Sequence, residues 1–291
     1  MKKDFLVGLT VSMAALSCVA IVAASLWRDK TDAKTSVLGL EVDENGLFSL
    51  GTYPQSVLSD GCDYLVPHLD AITTPNEHGY LEFQGSEYVR VVATPNSANT
   101  VKFNNGETII PGGTYYFKVE PIKWRVLDAA KGLLLCEDIL DAAGYNPATP
   151  EWEQSPIRYQ LNEYFLDTAF ESDEEPMIKH SIITESGVST ELHLFHLSRN
   201  DYATNSYGFD TMFGSADPDR VAKTSEYARA IGLYSATNTN ATRYFTRSVM
   251  GSQTIAPILI SETGTYTTYA SGGHVPGIRP AIYLQEPTPA T

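Results

Sequence analysis

The run Thr114-Tyr115-Tyr116-Phe117-Lys118-Val119-Glu120-Pro121-Ile122-Lys123-Trp124-Arg125-Val126-Leu127, followed after Asp128–Gly132 by Leu133-Leu134-Leu135-Cys136, decides the fold class. Aromatic and β-branched residues dominate it, the composition of a β-strand. Pro121 interrupts the run, because a proline has no N–H for a ladder. The turn then returns the chain, so the two runs pair as a meander. Upstream, Glu87–Val92 is a β-branched run. Val101–Phe103 and Thr108–Ile110 flank Asn105-Gly106, a dipeptide that takes the positive φ of a hairpin turn.

Downstream the punctuation becomes helical. Ser155 is placed to cap a helix that opens on Pro156, where a missing N–H costs nothing. Ile157, Leu161, Tyr164, Phe165 and Thr168 then follow the spacing of a buried stripe. Ser172-Asp173-Glu174-Glu175 reads as a second helix start with acids at the positive end of the dipole. Glu191–Leu197 returns to strand character, and Ser198 caps a short helix through Tyr202. Thr224 caps another, with Gly232 as its stop. The last third holds short strands at 244–246, 255–260, 266–269 and 278–284. Strands, then helices, then strands predict α+β rather than a parallel α/β sheet. The final strand is expected to pair with the first and bring the ends together.

The chain has 291 residues, 35 acidic against 20 basic, a formal charge of −15. Such a surface repels phosphate backbones, so no nucleic-acid partner is expected. Lys2 and Lys3 precede an apolar stretch, Phe5–Trp27, which Arg28, Asp29 and Lys30 close. At 1.5 Å per residue it reaches about 35 Å, against a bilayer core of roughly 30 Å. Residues 1–27 therefore read as a signal-anchor helix that stays in the membrane through residues 5–27. Val22-Ala23-Ala24 before Ser25 keeps a cleaved signal peptide open, and Ala15-Leu16-Ser17-Cys18 loosely resembles a lipid-attachment word. Flanking charge is balanced and does not orient the helix; the domain is placed outside because an export segment normally delivers the globular region behind it across the membrane. Residues 28–45 read as a linker, 46–286 as a single domain and the Pro-containing 287–291 as a tail. Outside the cytoplasm Cys62 and Cys136 could pair, although Cys136 reads first as a small buried strand residue.

Chemistry-bearing clusters are few. His193 and His196 stand three apart and on a strand would face opposite ways, so they are not expected to chelate a metal. Asp210, Asp217 and Asp219 share a Gly- and Pro-containing loop that reads as solvated rather than as a calcium site. No nucleophile elbow, phosphate loop or selected carboxylate pair is present, and no cofactor is called for. Arg125, Arg158, Arg247 and Arg279 sit in apolar words, where a guanidinium needs carboxylates or carbonyls to offset its desolvation. They are expected in a buried ion-pair network with Glu120 and Glu137 as its acids. The sharper alternative makes Arg247 and Arg279 ligands for an anion or a sugar acid.

Taken in order, several words resemble a family of uncharacterised bacterial cell-envelope domains. Gly51-Thr52-Tyr53-Pro54-Gln55 matches its Gly-x-Tyr-Pro-Gln word, and Glu120–Leu127 its Glu-Pro-Ile-x-Trp-Arg-Val-Leu strand. Leu133–Asp141 matches a hydrophobic strand ending in Ile-Leu-Asp. Ser155–Asn162 matches the helix opening Ser-x-Ile-Arg-x-Trp-Leu-Asn, and Ala169-Phe170 its following Ala-Phe word. Thr224–Ala228, Phe245–Ser248 and Gly277–Ala281 match Thr-x-Tyr-Ala, Trp-Leu-Arg-Ser and Gly-x-Arg-Pro-Ala. The coverage is about residues 48–284. Gln160 departs from the pattern, standing where the family carries Trp, and Tyr244-Phe245-Thr246 replaces a Trp-containing word. The closing words are similar to those of C-type-lectin-like domains of the sulfatase-modifying type, which implies a compact α+β fold of small antiparallel sheets and flanking helices. The copper-binding cysteine pair of that type has no counterpart. The resemblance implies no activity. The expected function is a non-catalytic, membrane-anchored or secreted envelope domain that binds a polysaccharide or protein; an envelope hydrolase using acidic residues and a purely structural surface module are the alternatives.

Overall fold

At about 3.3 Å per residue, a 15-residue strand is long enough to serve two neighbours in succession, and Thr114–Asp128 does so. Ser86–Val92 pairs with its first half and Leu133–Cys136 with its second, both antiparallel. Leu47–Val57 follows the opposite edge, from Val57 against Phe117 to Leu47 against Arg125. The computed structural model describes residues 36–58, 62–98, 101–142, 152–251, 256–269 and 275–286. The described residues all belong to one compact unit. The fold is α+β, with several small sheets and few helices.

The main sheet has seven strands. Leu194–Phe195, Ala281–Tyr283, Leu133–Cys136, Thr114–Asp128, Ser86–Val92 and Leu81–Phe83 lie in that order, with Leu47–Val57 added to the long strand. A second sheet of five runs Tyr266–Thr268, Ala256–Ile260, Tyr244–Met250, Gly277–Ile278, Asp141–Ala142. Two segments therefore cross from one sheet to the other: the chain after Cys136, and Arg279-Pro280 between Gly277–Ile278 and Ala281–Tyr283. Crossing leaves carbonyls outside either ladder, and buried ones must find donors. Fully buried Arg279 supplies them, donating to the carbonyls of Cys136 (2.8 Å), Glu137 (3.1 Å) and Arg220 (3.3 Å).

Pro121 does not break the long strand. It pairs with Thr52, while the buried positions change parity around it, from Phe117 and Val119 to Ile122, Trp124 and Val126. Register shifts in Leu47–Val57 absorb the misfit, one between Ser49 and Thr52 and one between Pro54 and Val57. Gly51 lies in the first shift at φ +72°, and a Cβ there would stand 2.5 Å from the Ala169 carbonyl oxygen. Only glycine permits both that backbone and that approach. Trp124 Nε1 donates to the Leu50 carbonyl at 2.8 Å and pins the shift from the neighbouring strand.

Several expectations need correction. The Ser155 cap is present, accepting from the Ile157 N–H, but Gln160–Phe165 is a π-helical turn between the α segments Pro156–Tyr159 and Leu166–Ala169. A step of four residues overshoots an α turn of 3.6, and the wider π turn absorbs the excess. Ile157, Leu161, Phe165 and Ala169 thus stay buried, whereas Tyr164 is 74% exposed. Ser172–Glu175 starts no α-helix, only the 3-10 turn Glu175–Met177; Glu174 is engaged by the Gly51 N–H at 3.0 Å. Ser225, not Thr224, caps the helix Glu226–Ala230. Asn105-Gly106 closes a single bridge, Lys102 to Thr108, rather than two strands. The final strand pairs with Leu133–Cys136 and Leu194–Phe195 instead of the first, which the long strand already occupies. The supposed linker is structured from Ser36: Ser36–Val37 and Leu40–Glu41 pair, and Val37 is buried in the core. The apolar segment 1–27, with Cys18, and the tail 287–291 lie outside the described residues. Among those described, no helix is long and apolar enough to cross a membrane.

Candidate functional site

The π turn, the bulged strand and the short strand Asp141–Ala142 meet at a cleft of about 630 Å³. Tyr53, Asp141, Gln154, Tyr159, Gln160 and Tyr164 face it, with Phe165 and Thr168 completing the wall. Four-residue steps put Pro156, Gln160, Tyr164 and Thr168 on one side of the helix, which is the side the cleft uses.

Each polar group is placed by backbone pairing. Asp141 is set by the antiparallel pairs Gly277–Ala142 and Ile278–Asp141. Gly277 is required there, because a Cβ would lie 2.1 Å from Ile139 Cγ2. The Asp141 carboxylate accepts from its neighbour, the Ala142 N–H, at 2.7 Å, from Tyr53 Oη at 3.0 Å and from Gln160 Nε2 at 3.3 Å. Gln160 Nε2 also donates to the Ala142 carbonyl at 2.9 Å. Burial raises the Asp141 carboxyl above the usual carboxylate range, and the three hydrogen bonds only partly oppose it. Burial and the adjacent carboxylate likewise hold the Tyr53 phenol well above its ordinary value. Tyr53 packs on Phe165 at 4.9 Å and edge-on to Tyr227 at 5.9 Å, so its hydroxyl has a fixed direction. Tyr159 and Tyr164 are 51% and 74% exposed, and the Arg158 guanidinium lies 4.5 Å over the Tyr159 ring.

The sequence-selected arginines lie elsewhere. Arg279 holds the sheet crossing, with Tyr244 Oη as a further partner at 3.1 Å and Glu137 at 3.9 Å. Arg125 makes a two-pronged pair with Glu137 at 2.8 and 2.9 Å. Arg247 is held by Glu185 at 3.2 Å and Asp201 at 2.9 Å, not by either expected acid. Glu120 instead accepts the Ser56 N–H at the second register shift. Among the described residues neither Glu120 nor Arg158 has an ion-pair partner. None of these arginines faces the cleft.

Two buried arginines were not singled out by sequence. Arg229 pairs with Glu226 at 3.7 Å beneath Leu47–Val57. Arg220 fills the acidic loop, donating to the carbonyls of Tyr202, Asp210, Phe213, Ser215 and Gly264 and lying 3.4 Å from Asp217. The expected solvated loop is therefore closed around a guanidinium, and Asp217 is buried. His193 stacks on His180 at 3.7 Å, whereas His196 is fully enclosed against Trp152 at 5.4 Å. No group of three or more metal-ligating side chains occurs among the described residues. Cys62 and Cys136 are not joined to each other; both are thiols, half-buried and buried respectively.

Residues 130–286, a little over half of the chain, match a family described as a domain of unknown function, DUF6273. The chain belongs to that family. No curated protein and no solved structure matches the chain significantly. The DUF6273 match contains Asp141, Gln160, Tyr164 and Gly277 but begins after Tyr53 and Trp124, which the structure places in the same sheet. The cleft residues were legible as words, Tyr53 in Gly51–Gln55, Asp141 at the end of Leu133–Asp141 and Gln160 at its Trp-replacing position. Nothing in the words indicated that the three meet.

Proposed function

We propose that this domain is a non-catalytic binding module of a bacterial cell envelope, retained at or released from the membrane through residues 1–27, and that its cleft takes a segment of polysaccharide. The observation that carries this reading is the composition of the cleft wall. Exposed Tyr159 and Tyr164 offer apolar faces to the C–H surface of a sugar ring, while Gln154, Gln160, Thr168 and Asp141 offer donors and acceptors to hydroxyls. A volume of about 630 Å³ lies within the range of small-ligand sites. Acid hydrolysis of glycosides uses two carboxylates facing one bond, and among the described residues of the wall Asp141 is the one carboxylate. The lectin-like cast of the closing words points the same way, as an analogy of fold.

A glycan panel presented to the full chain tests this. At least one polysaccharide is expected to be retained, about two- to tenfold more weakly by Tyr164→Ala, the loss that one aromatic contact of 0.5–1.5 kcal/mol carries. No retention, or equal retention by the variant, refutes the assignment. Release of shortened products favours the hydrolase instead.

A further inference from the structure

The enclosed carboxylates of this domain divide by what neutralises them. Asp217 lies against Arg220, Glu226 against Arg229, Glu137 against Arg125 and Arg279, and Glu185 against Arg247. Asp141 differs. Its three donors, Ala142 N–H, Tyr53 Oη and Gln160 Nε2, are all neutral, and among the described residues no cation lies within ion-pairing distance of it. A carboxylate drawn out of water needs an opposite charge as well as hydrogen bonds. At those four positions the fold supplies that charge, and half-buried Asp138, which has no ion pair among the described residues, still lies near the charges of Arg279 and Lys223; the Asp141 carboxylate instead borders an open cleft. Two of the three bonds fall on Oδ2 and one on Oδ1, which leaves Oδ1 with an acceptor site for a further donor. The rings of Tyr53, Tyr159 and Tyr164 border the same space, and an aromatic face attracts a cation.

From the unmatched carboxylate in an aromatic cleft, we infer that the specificity group of the ligand is a protonated amine, carried by an unsubstituted amino sugar of the polysaccharide. This deepens the glycan-binding reading and rests on it. The ammonium sits against Asp141, and the ring lies on the exposed tyrosines. Gln154, Gln160 and Thr168 face the ring hydroxyls, which a lysine side chain with its apolar stem would leave unanswered. N-acetylation would remove the charge, leave a single N–H donor and add an acetyl group against the carboxylate.

The test uses calorimetric titration of the full chain with three β-1,4-linked tetrasaccharides: glucosamine, N-acetylglucosamine and glucose. Glucosamine is expected to bind at least about tenfold more tightly than either of the others, the gain of one charge-assisted contact. Asp141→Asn should bring the three affinities together. Because the chain carries −15, a cationic sugar also adheres non-specifically, but that attraction is almost unchanged when one charge of many is removed. Equal or tighter binding of the acetylated or neutral sugar overturns the amine assignment and leaves the glycan reading standing. A preference that survives Asp141→Asn overturns it too. Failure of every glycan in the broader panel refutes both readings. Binding of tetralysine, dependent on Asp141 and without any sugar binding, transfers the site to a protein partner and overturns the sugar. The comparison within the wild-type chain stands even where the variant folds poorly.

Discussion

Replacing Arg279 with Met removes the guanidinium from the crossing of the two sheets while keeping an unbranched side chain of similar length. Four hydrogen bonds are lost, to the carbonyls of Cys136, Glu137 and Arg220 and to Tyr244 Oη. Bonds from a charged donor contribute about 1.5–3 kcal/mol each, which sums to roughly 6–12 kcal/mol. Against this, the variant no longer buries a charge, an offset of several kcal/mol. Glu137 also keeps its two-pronged pair with Arg125, so no carboxylate is stranded. After that offset the net loss is expected at about 3–5 kcal/mol, because the buried carbonyls left without this donor cost about 1–3 kcal/mol each. For a domain of this size it lowers the melting midpoint by about 6–20 °C. Urea unfolding monitored by tryptophan fluorescence, with Trp124 buried beside the crossing, gives the free energy directly. Arg279→Lys should recover part of it, since an ammonium reaches fewer of the carbonyls. A loss below about 1 kcal/mol for Arg279→Met, with the m-value unchanged, would show that the crossing stands without the guanidinium and overturn its assigned role.

Gly51→Ala should cost about 2–4 kcal/mol in the same urea assay, from a positive φ and from the 2.5 Å approach of its Cβ to the Ala169 carbonyl; a neutral effect would mean that the bulge is pliable. The buried ring nitrogens of His196 have no hydrogen-bond partner among the described residues, and burial pulls the imidazole pKa down to about 3, with Arg247 assisting. A depressed pKa favours folding fully above the unfolded value near 6.5, so stability should fall by about 1.4 kcal/mol per pH unit as pH drops from 6.5 toward 3. His196→Phe should flatten that slope, and an unchanged slope rules His196 out as its source. Burial also pushes the Cys136 thiol up. A thiol reagent followed by peptide mapping should therefore modify half-buried Cys62 in the native protein and Cys136 only after unfolding; native labelling of Cys136 would place it nearer the surface.

Local chemistry made much of the fold readable. The strand at 114–128, the return at 133–136 and the Ser155-Pro156 helix start depend on residues within a few positions of each other, so hydrophobic pattern and capping reveal them. The π turn was invisible, because 3- and 4-residue spacings fit α and π turns alike until packing chooses between them. The arginines were conspicuous by their apolar neighbours, but some of their partners lie far along the chain, as for Arg247 with Glu185, 62 positions away, and Arg279 with the Cys136 carbonyl, 143 positions away.

Strand, helix, strand order, acidity and family membership could all be read along the chain, since each is a property of composition or of nearby residues. The cleft could not; it exists only in three dimensions. Tyr53, Asp141 and Gln160 come together because Gly51 lets a bulged strand approach a helix end and Gly277 lets a short strand lie against Ile139. Two missing Cβ atoms, 226 positions apart in the chain, set distances of a few ångströms that no local pattern encodes.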